Sequence, residues 1–198
     1  MTVSKQLTHY TLETGHVAGC DEAGRGCLAG PVFAAAVVLP EDPSEELRSW
    51  LQDSKKLSAS RRLFLRNLIE EESVAYGVAM VDHDEIDRIN ILQASIKAIH
   101  LALEQLVPQP DLILVDGNRF IPYGFIPYQC VVKGDDTWLC VAAASILAKT
   151  ARDDHMLKLH RQYPVYGWDQ NKGYPTRRHR EAIKNKGLCP IHRKTFRL

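Results

Sequence analysis

The stretch from Cys27 to Leu39 contains no charged or hydrogen-bonding side chain beyond a single thiol, and it constrains the fold more than any other part of the chain. Gly30 and Pro31 interrupt it, and it falls well short of the roughly 20 apolar residues a membrane-spanning helix needs. The part from Val32 to Leu39, stopped by Pro40, reads instead as a strand. A strand with one wet face alternates apolar and polar residues. A continuous apolar run belongs to a sheet covered on both faces, as in layered α/β proteins. With 198 residues the chain can bury such a sheet within one domain.

The rest of the pattern agrees. Strands are expected at His16–Cys20, Val74–Val81, Leu112–Val115 and Gln129–Val132. Helices are expected at Ser44–Leu51, at Ala59–Glu72 behind a capping Ser58, and at Asp84–Leu106, where Ile91, Leu92, Ile96, Ile99, Leu103 and Leu106 keep helical spacing. Trp138–Leu159 reads as a buried helix whose Ala142, Ala143, Ala144 and Ser145 allow close approach to a sheet. Thr176 can cap a last helix that Gly187 stops. The expected fold is α/β, a five-stranded mixed sheet flanked by helices.

Acidic residues sit where these strands end. Asp21 and Glu22 follow the first, just before Ala23-Gly24-Arg25-Gly26; Asp116 ends Leu-Ile-Leu-Val-Asp-Gly; Asp135 ends Val-Val-Lys-Gly-Asp ahead of the long helix. A lone aspartate at a strand end ordinarily caps a turn. Three strands ending alike point instead to a shared site, because ligands of open α/β sheets bind beyond strand ends. Carboxylates gathered there repel one another unless a cation joins them, and oxygen donors without His or Cys favour Mg²⁺ or Mn²⁺ over zinc. Neighbouring strand residues point to opposite faces, so Asp21 and Glu22 can share the site only if the chain bends there. Gly-Arg-Gly offers backbone amides and a guanidinium to a phosphate or sugar.

Charge is unevenly spread. From Asn171 to Leu198 there are nine Lys and Arg against one acid, Glu181, which leaves −7 on the first 170 residues of a chain whose net charge is +1. An acidic body with a basic tail suits a protein that holds cations in one place and phosphates in another. The five cysteines form no C-x-x-C pair and no zinc spacing, as expected of reduced thiols in the cytoplasm. The N-terminus has no apolar signal region, and no partner membrane is expected.

The motifs Gly19-Cys20-Asp21-Glu22-Ala23-Gly24-Arg25-Gly26, Asp53-Ser54-Lys55-Lys56-Leu57, Asp116-Gly117-Asn118 and Lys133-Gly134-Asp135 closely resemble those of the ribonuclease HII family. So do Ala142–Lys149, Arg152-Asp153, Lys172-Gly173-Tyr174-Pro175-Thr176 and His192-Arg193, all in the family's order. Two positions depart from it: Cys27 stands where proline is common, and Asp136 puts a second acid beside an expected ligand.

The resemblance implies a ribonuclease H-like fold, with a catalytic domain at 1–163 and a short, helical, basic segment at 164–198. It implies endonucleolytic cleavage of the RNA strand of RNA–DNA hybrids, and incision 5′ of single ribonucleotides in duplex DNA. The products carry 5′-phosphate and 3′-hydroxyl ends. The implied metal ligands and catalytic residues are Asp21, Glu22, Asp116 and Asp135, holding two Mg²⁺ or Mn²⁺ ions. Gly24, Arg25 and Gly26 would contact the ribonucleotide around its 2′-hydroxyl, Tyr174 would stack near the sugar, and Lys55 and Lys56 would meet backbone phosphates. His155, His179 and His192 are expected to be structural or to touch phosphates, and Tyr166 and Trp168 to pack. Helix chemistry gives Asp136 an ordinary role as an acid near the long helix's start. The enzyme is expected to act as a monomer.

Overall fold

The computed structural model describes residues 7–10, 12, 15–52 and 57–197. Five strands, β1 (Val17–Ala23), β2 (Val32–Val38), β3 (Ala75–Val81), β4 (Leu112–Asp116) and β5 (Tyr128–Val131), form one sheet in the order β3-β2-β1-β4-β5. β2 is antiparallel to both β1 and β3, whereas β4 runs parallel to β1 and β5 parallel to β4. The sheet is therefore mixed.

Helices α1 (Glu45–Gln52) and α2 (Ala59–Glu72) precede β3; α3 (His83–Ile89) and α4 (Ile91–Leu103) precede β4. After β5 come α5 (Leu139–Gln162), α6 (Trp168–Asn171) and α7 (Arg177–Lys186). All seven residues of β2 are buried. Ala35 and Val37 face a core built with α5, while Ala34, Ala36 and Val38 face a second core built with α4. That two-sided cover explains the continuous apolar run. Gly19 of β1 lets α5 close in: a Cβ there would lie 2.3 Å from the Val141 nitrogen, so any side chain would push the helix off the sheet.

Three expectations need correction. The helix expected over Asp84–Leu106 is two helices, broken at Asn90 (φ 67°, ψ 164°), whose side chain accepts from the Leu92 and Gln93 amides and caps α4. Both helices contribute buried apolar residues to the same core, so hydrophobic periodicity runs across a break it cannot reveal. The first strand does not stop at Cys20. Pairing with β4 ends there, but β2 continues to pair as far as Ala23 opposite Phe33. The cap position of α5 belongs to Trp138, with no side-chain cap bond, while Asp136 lies earlier, in a 3-10 turn over Gly134–Asp136. Ser58 and Thr176 do cap α2 and α7 as expected.

The C-terminal segment is sewn onto the β1–β2 loop. Tyr166, Trp168 and Ile183 share a third core with Leu28, Ala29 and Met156. Leu28 donates to the Gly173 carbonyl (2.8 Å), Gly30 to Ile191 (3.0 Å), and Arg193 donates back to Leu28 (2.8 Å). All five cysteines are free thiols. Among the described residues no helix is long and apolar enough to cross a membrane.

Candidate active site

The end of β4 creates the site. Asp116 is its last residue, and β1 runs on past it, carrying Asp21 and Glu22 beyond their last neighbour on that side. β1 stays in regular register with β2 through both acids, so the strand does not bend there and the two side chains leave it on opposite faces. Asp21 is buried, its carboxylate bonded by the Ser145 hydroxyl from α5 and, at 2.7 Å, by the Glu22 amide. Glu22 reaches the open edge and pairs with Arg25 at 2.8 Å. Asp116 Oδ1 accepts from the Gly134 amide at 2.7 Å, which ties the end of β4 to the turn that holds Asp135.

This grouping is electrostatically unfavourable as it stands. Burial, with smaller contributions from Glu22 and Asp116, pushes the Asp21 carboxyl up to about 8, against the opposing pull of its two hydrogen bonds. Burial also raises Glu22, with Arg25 opposing and Asp116 assisting. Among the described residues no three Asp, Glu, His or Cys side chains form a ready cage for a metal ion. Two of the acids are instead held by Arg25 and by the Gly134 amide. The donor chemistry nonetheless fits a hard divalent cation, since the electrostatic deficit is positive charge and the donors are all oxygen.

Next to the acids lies a recess of about 360 Å³ whose walls include Glu22, Gly24, Arg25, Gly26, Asp135 and Tyr174. The structure thus brings these six together, with Asp21 and Asp116 adjoining through Glu22. Lys55 and Lys56 lie outside the described residues. Ser145, Lys149 and Arg62 also line the recess, and sequence reading assigned none of them a place there. Ser145 and Lys149 belong to the Ala142–Lys149 motif, and their four-residue separation on a helix could have marked a shared face.

Two buried arginines hold the recognition loops. Arg152 donates to the carbonyls of Pro31 (3.0 Å), Ala29 (3.1 Å) and Lys172 (2.8 Å). Arg193 donates to Gly30 (2.9 Å) and to Arg25 itself (2.9 Å). Gly24 (φ 99°) is required beside them, because a Cβ there would fall 2.0 Å from Arg152 Nε. At Gly26 a Cβ would meet nothing within 4 Å, so sterics do not explain that glycine.

Tyr174 is half-exposed, with the Arg152 guanidinium 5.9 Å from its ring centroid. Its carbonyl accepts from His179 Nδ1 at 2.9 Å, and His179 Nε2 accepts from Trp168 Nε1 at 3.0 Å. His192 Nε2 lies 3.2 Å from the same His179 nitrogen, and His192 Nδ1 accepts from the Cys189 amide. With His179 protonated on Nδ1 and His192 on Nε2, the single lone pair of His179 Nε2 is shared between the Trp168 and His192 N–H groups. Burial, together with His179, pushes His192 down to about 4. Both imidazoles are fully buried and structural, and Trp168 and Tyr166 stack at 5.3 Å as packing residues.

The family model described as Ribonuclease HII matches residues 18–198. The chain is 59% identical to the ribonuclease HII of Parabacteroides distasonis over 188 residues, covering 94% of this chain and 93% of that one. It is 53% identical to the ribonuclease HII of Porphyromonas gingivalis over 191 residues, covering 96% and 94%. The crystal structure of ribonuclease H2 from Pyrococcus horikoshii superposes with a TM-score of 0.76 at 32% identity, over 91% of this chain and 93% of that one. That neighbour extends the likeness to the sheet and helices of the ribonuclease H-like fold. With relatives this similar over nearly their whole length, and with carboxylates converging where β4 stops, the chain belongs to the ribonuclease HII family and is a ribonuclease H enzyme.

Proposed function

We propose that this enzyme hydrolyses the RNA strand of RNA–DNA hybrids and incises 5′ of single ribonucleotides in duplex DNA, leaving 5′-phosphate and 3′-hydroxyl ends. The observation that carries the reading is the burial of Asp21 where the pairing of β1 with β4 ends, next to Glu22, which shares a recess with Gly-Arg-Gly, Asp135 and Tyr174. Asp21, Glu22, Asp116 and Asp135 would hold two Mg²⁺ or Mn²⁺ ions. When bound, such ions supply an activated water and charge stabilisation at the leaving oxygen.

The chain's own groups account for selectivity. Gly24 and Gly26 bring the loop backbone within reach of a 2′-hydroxyl, the group that separates RNA from DNA. Arg25 pairs with Glu22 in the free protein and is placed to meet a phosphate once the carboxylate takes a cation. Tyr174 offers its exposed ring to the sugar at the RNA–DNA junction, while its backbone stays fixed by His179. Lys55, Lys56 and the basic tail would follow backbone phosphates. Residues 1–163 form the catalytic body in this reading, 164–198 the basic segment beside it, and the protein acts as a cytoplasmic monomer.

A duplex carrying one ribonucleotide, incubated with Mn²⁺ or Mg²⁺, tests the reading. The expected product is one incision 5′ of the ribonucleotide, with all-DNA duplex left intact. Equal cutting of all-DNA duplex, or activity that persists in EDTA, refutes it. Tyr174→Ala should lower the incision rate more than duplex affinity, because a contact at one sugar positions the reacting phosphate. Equal losses would assign Tyr174 to general docking.

A further inference from the structure

Glu22 has a second side. Behind it, between α4 and the turn after β4, lies a separate recess of about 200 Å³. Its walls combine Glu22, Arg25 and Asp116 with three polar residues that the site described above leaves unused, Ser95, Asn118 and Arg119. Leu92, Ile96 and Ile99 supply an apolar side.

Ser95 is the telling residue. It sits on α4 with 2% exposure, and its Oγ has no hydrogen-bond partner. A helical serine ordinarily bonds the carbonyl one turn back; this hydroxyl does not. Although its Oγ is closed off from solvent, the residue lines the recess, so a turn about its Cα–Cβ bond is what brings the hydroxyl to a guest. A buried hydroxyl left unpaired is a standing cost that a guest able to accept or donate a hydrogen bond removes. At the mouth, Asn118 and Arg119 follow Gly117 (φ 103°) in a turn directly off Asp116. Both are exposed, and among the described residues neither makes a hydrogen bond or ion pair. Water alone could satisfy Ser95, but an unspent guanidinium beside it selects an anion.

We propose that this recess is a subsite for the phosphodiester adjacent to the one being cut, on the cut strand. Arg119 meets its non-bridging oxygens, the Ser95 hydroxyl completes their hydrogen bonding, and the apolar side takes the carbon face of the attached sugar. Charge allows it. Arg25 offsets Glu22, and Arg119 brings a guanidinium to the same recess as Asp116 for an incoming phosphate. Geometry selects the strand. Glu22 walls both recesses, which makes their occupants neighbours along one backbone, whereas the complementary strand lies across a groove roughly 6–12 Å wide. The proposal rests on the nucleolytic reading above and extends the bound length of the cut strand by one nucleotide.

The test pairs side-chain and backbone changes. Binding of the full chain to a duplex with one ribonucleotide is measured in EDTA, where no cutting interferes. Neutral methylphosphonate replaces one phosphodiester at a time on each strand. For the wild type, one position next to the scissile bond on the cut strand should cost about tenfold in affinity, the scale of a hydrogen bond to a charged group. Arg119→Gln should show that loss on the unmodified duplex, no further loss at that position, and a log–log salt slope lower by about 0.9. Ser95→Ala should bind more weakly while melting no lower than wild type. Additive losses at every position, a matching position on the complementary strand, or wild-type binding by Ser95→Ala would each overturn the subsite. Incision by the wild type is scored separately on the unmodified duplex. Failure there refutes the proposed function, whereas additive binding alongside normal incision removes only the subsite.

Discussion

Two regions of this molecule bury charged and titratable groups, and they treat them in opposite ways. At the edge of β1 the acids crowd together, with Asp21 raised by burial and by its acidic neighbours. Beneath the recognition loops, Arg152 and Arg193 are just as buried, yet Arg152 spends its guanidinium on three backbone carbonyls and Arg193 bonds two, leaving only its Nη2 without a partner, and His179 and His192 sit in a shared set of hydrogen bonds. Burial raises the carboxyls of Asp21 and Glu22, a cost that a bound cation would relieve. The basic groups carry structure. A buried polar group that is satisfied holds a fold together, whereas carboxylates crowded by burial carry a standing cost.

The largest effect that could break this contrast comes from the acids. Asp21→Asn and Asp135→Asn should each cut the single-turnover rate by orders of magnitude. Asp21→Asn should raise the melting temperature of the metal-free protein, because it removes a buried carboxylate from its acidic neighbours. Asp135→Asn should leave stability nearly unchanged. A large drop in stability for either variant would mean that the acids are structural after all.

Arg152 should behave in reverse. Arg152→Met orphans three carbonyls and should cost about 3–5 kcal/mol, the range for breaking a buried charged network. Arg152→Lys should recover little, since an ammonium cannot reproduce a planar fork aimed at Ala29, Pro31 and Lys172. Denaturant unfolding of both variants measures this. Full rescue by lysine would show that charge alone suffices there.

The pH dependence of the metal-free protein sharpens the comparison further, because the two regions have opposite signs. Asp21 has a raised folded-state value, so its contribution is fully present below its ordinary carboxylate range and is lost as pH rises toward about 8. His192 has a depressed one, so its contribution, on the order of 2–3 kcal/mol, is present above about 6.5 and is lost as pH falls through about 4. Thermal melts across this range should fall off at both ends. Asp21→Asn should flatten the alkaline side and leave the acid side alone. Loss of both arms in that variant would show that the regions are coupled.

The smallest effect belongs to Asp136. It shares the 3-10 turn with Asp135 but does not occupy the cap position of α5. Asp136→Asn should keep activity within a few-fold and cost at most about 1 kcal/mol, no more than a lost cap would. If Asp136→Asn abolishes activity while Asp135→Asn retains it, the fourth ligand has been assigned to the wrong neighbour.

The sequence alone determined the sheet architecture and singled out the acids proposed as the site. The apolar run of β2 required a sheet covered on both faces, and the acids at strand ends marked the edge where a ligand belongs, because such signals are local and periodic. It could not reveal the break at Asn90, since α3 and α4 share one apolar face and periodicity passes through the kink. Nor could it show that β1 runs on through Asp21 and Glu22, which depends on which neighbour keeps pairing and which stops. The roles of Arg152, Arg193, Ser95 and the paired histidines were decided by the tertiary structure alone. Arg193 bonds the Arg25 carbonyl across 168 residues of chain, and Ser95 is informative only because no partner reaches it. Hydrogen-bond satisfaction is a property of the assembled interior, where distant backbone and side chains meet, and no stretch of sequence read by itself contains it.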